Sequence, residues 1–293
     1  MNRTLQPALT LFAVGMMGLG VLALVVGDFA MVWQPVAPWV PGRTALAYGS
    51  GVLMLVCGAG LLLEATAKAA IRLLFAYLIA WALLKVPALV VAPQIEGVWL
   101  GIGELVMLMA GGWVLFARLH DPSDKDLSRG TPGGARTDSW LGFAVDERGV
   151  RLAQIVFGVA VVPVGLSHLF YTPQTAQLVP AWLPARSFWA YLTGVGQMAS
   201  GLGLIFRVWP RAAAWAEACQ VSLYTLLIWV PATVAKPTAR LPWTAVWISW
   251  AIAAAAWVVA QSVTTGTKDL GLGTRTAGNR EQAVGNDLHA VKK

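Results

Sequence analysis

One stretch of this sequence occurs twice, and the duplication constrains the fold more than any other feature. The segment Trp39-Val-Pro-Gly-Arg43 returns as Trp182-Leu-Pro-Ala-Arg186. At a constant offset of 143, residues 39–61 match residues 182–204 at 10 of 23 positions. At an offset of 144, Leu83–Pro93 aligns with Leu227–Pro237. Because self-similarity of this kind marks a duplicated structural unit, the sequence predicts two equivalent halves.

The composition indicates that both halves lie in a membrane. Hydrophobic residues make up 57% of the chain and charged residues 12%, whereas soluble domains carry about 25% charge. A helix that crosses the hydrocarbon core needs about 20 apolar residues. Eight runs meet this requirement, at residues 8–30, 44–63, 70–92, 97–117, 150–170, 187–206, 212–235 and 241–263. The sequence therefore predicts an all-α, polytopic integral membrane protein whose eight transmembrane helices form two parallel four-helix repeats.

Polar segments divide the chain further. The stretch around residues 120–148 is rich in Asp, Gly and Pro, which is typical of a flexible linker. The polar C-terminal segment has the composition of a disordered tail. The predicted domains are a first repeat at 1–119, a cytoplasmic linker at 120–148, a second repeat at 149–263 and a disordered cytoplasmic tail at 264–293. The first apolar run resembles a signal peptide, but its repeat partner at 150–170 predicts that it is retained as a helix.

The distribution of basic residues predicts the orientation. With eight spans, 16 of the 21 Lys and Arg residues fall on the side of the two termini, and four fall on the opposite side: Arg43, Arg186, Lys236 and Arg240. Since Lys and Arg accumulate in cytoplasmic loops, both termini are expected in the cytoplasm. The net charge of +7 is thereby explained by orientation in a lipid bilayer, and we expect no nucleic-acid partner.

The repeated loop has two interpretations. Its proline residues resist helix formation where the chain leaves and re-enters the membrane, and its Trp and Arg side chains suit the headgroup region. The loop is therefore either an interfacial anchor or the outer mouth of a binding site. The residues concerned are Trp39, Pro41 and Arg43 in the first half and Trp182, Pro184 and Arg186 in the second.

Three ionisable residues of the first half fall inside predicted spans at similar depth: Asp28, Lys85 and Glu104. Charge inside a membrane costs about 3 kcal/mol on insertion scales, and it is usually paired or functional. The three residues form a candidate polar cluster, either a ligand site or proton relay, or else a structural ion pair with Lys85 extending to the interface.

The second half carries a different polar residue, His168, at the position that corresponds to Asp28. A histidine there could titrate near neutral pH or serve as an ordinary interfacial side chain. No metal-ligand spacing, nucleophile motif or phosphate loop occurs in the sequence, so no metal site is predicted. Because the polar residues of the two halves differ, either at most one half contains a functional site, or a site lies between the halves.

Several segments of the second half resemble the DoxX family of four-helix membrane proteins. They are Gly165-Leu-Ser-His168-Leu-Phe, Val179-Pro-Ala-Trp-Leu-Pro184, Tyr191-Leu-Thr-Gly194 and Gly201-Leu-Gly-Leu204. The resemblance covers one such unit in each half, and it is nearest to tandem, two-unit DoxX-like proteins of bacteria. It implies a bacterial inner-membrane location and an association with quinone-linked redox systems. Many such units carry Gly-x-x-Glu in the second helix, whereas this chain has Met54 and Gln197 in place of the acid.

Three functions remain open from the sequence. The chain is expected to be a membrane subunit that docks a redox protein partner or a quinone, with Asp28, Lys85, Glu104 and His168 as candidate site residues. The alternatives are a transporter of small solutes, driven by protons or otherwise, and a non-catalytic membrane scaffold. Parallel repeats are a known plan for transporters, so the architecture does not decide among these functions.

Overall fold

The computed structural model describes residues 5–31, 33–120 and 140–265, and within these residues the regular structure is helical throughout. This confirms the all-α prediction. The helices are α1 Gln6–Val26, α2 Arg43–Leu61, α3 Ala67–Val91, α4 Glu96–His120, α5 Trp140–Val145, α6 Glu147–Phe170, α7 Thr172–Leu178, α8 Arg186–Phe206, α9 Pro210–Ala235 and α10 Arg240–Thr265.

Seven helices of the described residues are long and apolar enough to cross a membrane: α1, α2, α3, α4, α6, α9 and α10. The protein is thus a multi-pass membrane protein. Helix α8 corresponds to the predicted span 187–206 and is 21 residues long, but it is not among the seven helices that are apolar enough to cross a membrane. Polar side chains at Thr193, Gln197 and Ser200 lower its hydropathy, and all three face other helices of the protein or its interior.

Helix α1 ends earlier than the apolar run 8–30 predicts. Gly27 adopts φ +66°, a left-handed conformation that ends the helix, and its N–H donates to the Ala23 carbonyl. Glycine adopts this conformation without steric cost. Asp28 therefore lies in the loop after α1 and outside the membrane-spanning helix.

Part of the predicted linker is helical. Helix α5 and the first two residues of α6 fall within the interval 120–148. Asp146 caps the start of α6 by accepting hydrogen bonds from the backbone N–H groups of Arg148 and Gly149. The expected flexibility of residues 121–139 and the expected disorder of residues 266–293 concern segments outside the described residues.

The long helices pack as a closed ring. Each of α1, α2, α3 and α4 packs against the next; α4 then packs against α6, α6 against α8, α8 against α9, and α9 against α10. Helix α10 closes the ring on α1, and it also packs against α4 across the middle. Its alanine-rich stretch around Ala251–Ala256 is buried, which lets the neighbouring helices approach closely.

Glycine residues bring the backbones of α6 and α8 into contact. A Cβ atom added at Gly165 would lie 2.7 Å from the carbonyl oxygen of Gly194, and one added at Gly158 would lie 2.7 Å from that of Gly201. Helices in lipid associate by close packing of this kind, because no hydrophobic effect drives them together there. The two glycine pairs therefore fix the distance between α6 and α8.

Helix α9 contains a wider, π-helical turn at Thr225–Trp229. Pro231 lies two residues after this turn, and proline has no N–H for the carbonyl of residue 227. A wider turn of this kind accommodates the missing hydrogen bond.

The contact between α6 and α8 predicts that two Gly→Ala substitutions change the free energy of unfolding to very different extents. Gly165→Ala is expected to lower the free energy of unfolding by about 1–3 kcal/mol, because the new methyl group meets backbone that cannot move aside. Gly49→Ala, on the open face of α2 with no atom within 4 Å of its added Cβ, is the control and is expected to leave stability unchanged or raise it. Denaturant unfolding in detergent measures both. Equal stability of the two variants would contradict the packing described here.

Candidate functional site

A cavity of about 590 Å³ lies among α4, α6, α7, α8, α9 and α10. Most of its wall is apolar, including Leu100, Met107, Val164, Leu227 and Ile248. A small set of polar side chains also borders it, among them Glu104, His168, Thr193, Gln197, Gln220 and Tyr224. Large apolar cavities with a few convergent polar groups are the usual form of sites for small molecules.

The structure brings two of the predicted site residues together on α3 and α4. Lys85 is buried, and its Nζ donates a 2.6 Å hydrogen bond to the carbonyl oxygen of Gly101, one turn from Glu104. The charges of Lys85 and Glu104 attract each other. Glu104 borders the cavity, whereas Lys85 lies behind it. The wall of the cavity thus contains the carboxyl group of Glu104, and Lys85 lies beside it as a residue of opposite charge.

Asp28 has different partners. Its carboxylate forms ion pairs with Arg43 of α2 and, at 2.9 Å, with Arg240 at the start of α10. Burial acts to raise the pKa of the Asp28 carboxyl, but hydrogen bonds from Arg240, the Phe29 N–H and Arg43 outweigh it, and the pKa is lowered. Asp28 thus connects the loop after α1 to the first turn of the last helix.

His168 of α6 borders the cavity and is held by α8. Its Nδ1 lies 2.9 Å from the Thr193 hydroxyl, and its ring lies 5.6 Å from that of Tyr224. Gln220 donates hydrogen bonds both to the Thr193 carbonyl oxygen, at 2.8 Å, and to the Tyr224 hydroxyl, at 2.7 Å. These four side chains form one polar network along the α8 and α9 side of the cavity.

Sequence reasoning missed an acid beside this network. Glu217 of α9 is 1% exposed, and its Oε1 accepts a 3.2 Å hydrogen bond from the Gln197 Nε2. Gln197 occupies the place where the DoxX resemblance leads one to expect an acid, and the carboxyl group beside it comes from the neighbouring helix. An ionisable residue inside the apolar run 212–235, near its start, was the available signal, because such residues are rarely incidental in a membrane.

The Gln197–Glu217 pair also shows which atoms lack partners. Gln197 Oε1 and Glu217 Oε2 are both buried without a hydrogen bond to any described residue. A proton on Glu217 would let its O–H donate to the amide oxygen while the amide N–H donates back, which satisfies both groups. Both unpartnered oxygen atoms of the acid–amide pair therefore gain a hydrogen bond when Glu217 is neutral.

Of the two repeated loops, the one in the second half borders the cavity. Trp39 and Trp182 are 81% and 70% exposed, as expected of side chains at a membrane surface, and Arg43 donates to the Val36 carbonyl oxygen as well as to Asp28. The loop of the second half also contributes Pro180 and Leu183 to the cavity wall. Pro41, Pro184 and Arg186 are placed in or next to these loops, and Pro184 accepts a 3.0 Å hydrogen bond from the Trp189 indole.

No family model, curated protein or solved structure matches this chain. The DoxX resemblance accordingly stays a prediction, and we infer the function from the cavity and its polar groups.

The ion pairs of Asp28 predict a pH-dependent contribution to stability. Because its pKa is lowered in the folded protein, the contribution is present above the unfolded-state pKa of about 3.9 and is lost as the pH falls through the folded-state value. Asp28→Asn is expected to cost about 1–3 kcal/mol at neutral pH and progressively less in acid. Thermal unfolding against pH measures this, with the exposed Glu64→Gln as control. A cost that does not change with pH would contradict the assignment.

The neutral state of Glu217 can be observed directly. At neutral pH, the infrared spectrum of the protein is expected to contain the carbonyl stretch of a protonated carboxylic acid, and Glu217→Gln is expected to remove it. Stability should change by less than about 1 kcal/mol, since the new amide can still pair with Gln197. Glu147→Gln, a change at an exposed carboxylate paired with Arg118, is the control and should leave this band unaltered. A wild-type spectrum identical to that of Glu217→Gln would show that Glu217 is ionised.

Proposed function

We propose that this chain is a DoxX-like protein of the bacterial inner membrane that binds a quinone-class molecule in the cavity and presents it to a redox partner protein. In this proposal the chain forms eight spans, as two parallel four-helix repeats, with both termini in the cytoplasm. The observation that carries the proposal is the cavity itself: its volume of about 590 Å³ and its largely apolar wall with a few polar groups suit one small hydrophobic molecule.

The charges around the cavity favour an uncharged ligand. Glu104 has Lys85 beside it, so the two charges offset each other. Glu217 pairs with an amide and forms no ion pair with any Lys or Arg among the described residues. A permanently charged molecule would therefore enter this apolar space without a full countercharge, at high cost. A quinone head group is uncharged, and its ring and tail suit the apolar wall.

Proton-coupled transport of a small solute is a second candidate, and the two acids favour it. Glu104 borders the cavity and Glu217 lies directly behind Gln197, so both acids lie where a proton relay would need them. Uptake of a solute into proteoliposomes under a pH gradient, lost in Glu217→Gln, would favour transport over quinone binding.

Filling the cavity is the most direct test of ligand binding. Ile248 is 7% exposed and borders the cavity, so Ile248→Trp is expected to occupy part of the space and weaken binding of a decyl-tailed quinone at least tenfold. Quenching of tryptophan fluorescence in detergent, from Trp189 and Trp229 in the wall, gives the dissociation constant.

The control is Leu226→Trp, which adds the same ring on the exposed side of α9. Equal affinities of wild type, Ile248→Trp and Leu226→Trp would place any binding outside the cavity and contradict the proposal.

A further inference from the structure

The hydrogen bonds of Thr193 determine which form of a ligand this cavity recognises. The Thr193 Oγ1 lies 2.8 Å from the Trp189 carbonyl oxygen and 3.1 Å from that of Ala190, both on its own helix. A carbonyl oxygen only accepts, so the single hydroxyl proton of Thr193 is directed at these backbone groups. The hydroxyl is therefore left as an acceptor for its remaining neighbours, the Tyr224 hydroxyl and His168.

This assigns the tautomer of His168. Its Nδ1 is 2.9 Å from the Thr193 Oγ1, and a hydrogen bond between them requires that Nδ1 carries the proton. In a neutral imidazole the other nitrogen is then an acceptor. His168 Nε2 has no hydrogen-bond partner among the described residues, and the side chain borders the cavity. The wall thus contains an accepting nitrogen without a donor.

A second acceptor also borders the cavity. The carboxyl group of Glu104 has no hydrogen bond to any described residue, and it retains an accepting oxygen whether or not it carries a proton. A quinone carbonyl can only accept, so it would leave His168 Nε2 without a donor. Burying an acceptor without a partner is costly, whereas a hydroxyl group donates to it.

From this geometry we infer that the cavity binds its ligand through a hydroxyl group that donates to His168 Nε2, so that a hydroquinone binds more tightly than the corresponding quinone. The inference rests on the proposed function, since it concerns the same cavity. His168 contacts the ligand, whereas Thr193 is a positioning residue that fixes the tautomer of His168. One net hydrogen bond corresponds to a preference on the order of tenfold for the hydroquinone.

Three probes of nearly equal shape test this inference: a decyl-tailed hydroquinone, its quinone and its dimethyl ether. Only the hydroquinone can donate a hydrogen bond. Dissociation constants are measured without oxygen for full-length wild-type protein in detergent. The hydroquinone is expected to bind about tenfold more tightly than the other two probes, which are expected to bind alike.

Variants at the two residues separate recognition from folding. His168→Phe keeps an aromatic ring but no acceptor at this position, and it is expected to remove most of the difference in affinity between hydroquinone and ether while ether affinity stays unchanged. His168→Gln retains an acceptor and is expected to restore part of the preference. Thr193→Val removes the hydrogen bond that fixes the tautomer of His168, and it is expected to reduce the ratio of hydroquinone to quinone affinity. A purely structural role of Thr193 would not alter this ratio.

The outcomes distinguish the two proposals. Equal binding of all three probes to the wild type, or an undiminished preference in His168→Phe, would overturn the hydroxyl inference and leave the cavity as a site for apolar rings. Binding of none of the probes would overturn the proposed function, and the inference with it. Unchanged ether binding in the variants shows that the cavity has kept its shape.

Discussion

The backbone contact between α6 and α8 is the interaction on which the site depends. Gly165 and Gly194 allow the two helices to touch, and a Cβ atom at Gly194 would lie 2.9 Å from the His168 Cβ. His168 lies one turn after Gly165, and Thr193 lies next to Gly194, so the contact that joins the helices also places the imidazole against the hydroxyl. Close packing in the membrane thereby fixes the orientation of a polar group that would otherwise be free to rotate.

The two halves use equivalent positions differently. In the proposed repeat, Ser50 corresponds to Thr193. Ser50 accepts a 3.0 Å hydrogen bond from Gln34, a residue of the loop after α1, and lies 2.6 Å from the Tyr77 hydroxyl. Trp33 of the same loop is fully buried. The first half thus fills its interior with its own loop, whereas in the second half the hydroxyl holds a histidine at the edge of open space.

Patterns in the sequence predicted the positions of the long helices and a cluster of charges, two members of which the structure places on neighbouring helices. Runs of apolar residues located the long helices to within a few positions, because the thickness of a bilayer fixes their length. Lys85 and Glu104 were expected together since they fall at similar depth on consecutive spans, and the structure places the Lys85 Nζ on the Gly101 carbonyl oxygen, one turn from Glu104. Asp28 was assigned to the same depth, but the left-handed Gly27 ends α1 first and turns the chain toward Arg43 and Arg240.

The cavity and the Glu217–Gln197 pair could not be predicted in the same way. A cavity depends on which side chains fill the space between helices, and hydropathy contains no information about that packing. Glu217 lies in an apolar run without a motif around it, so only its neighbour across the helix interface shows how its carboxyl group is satisfied. The tautomer of His168 likewise depends on hydrogen bonds made by a residue 25 positions away.

Native mass spectrometry of the protein, extracted gently from its own membrane, would show directly whether the cavity holds a ligand. We expect that one small, uncharged, apolar molecule with an oxygen-bearing ring is retained per chain and is absent when Ile248→Trp fills the cavity. A wild-type chain that carries only ordinary phospholipid, or a ligand that Ile248→Trp retains equally, would contradict this expectation.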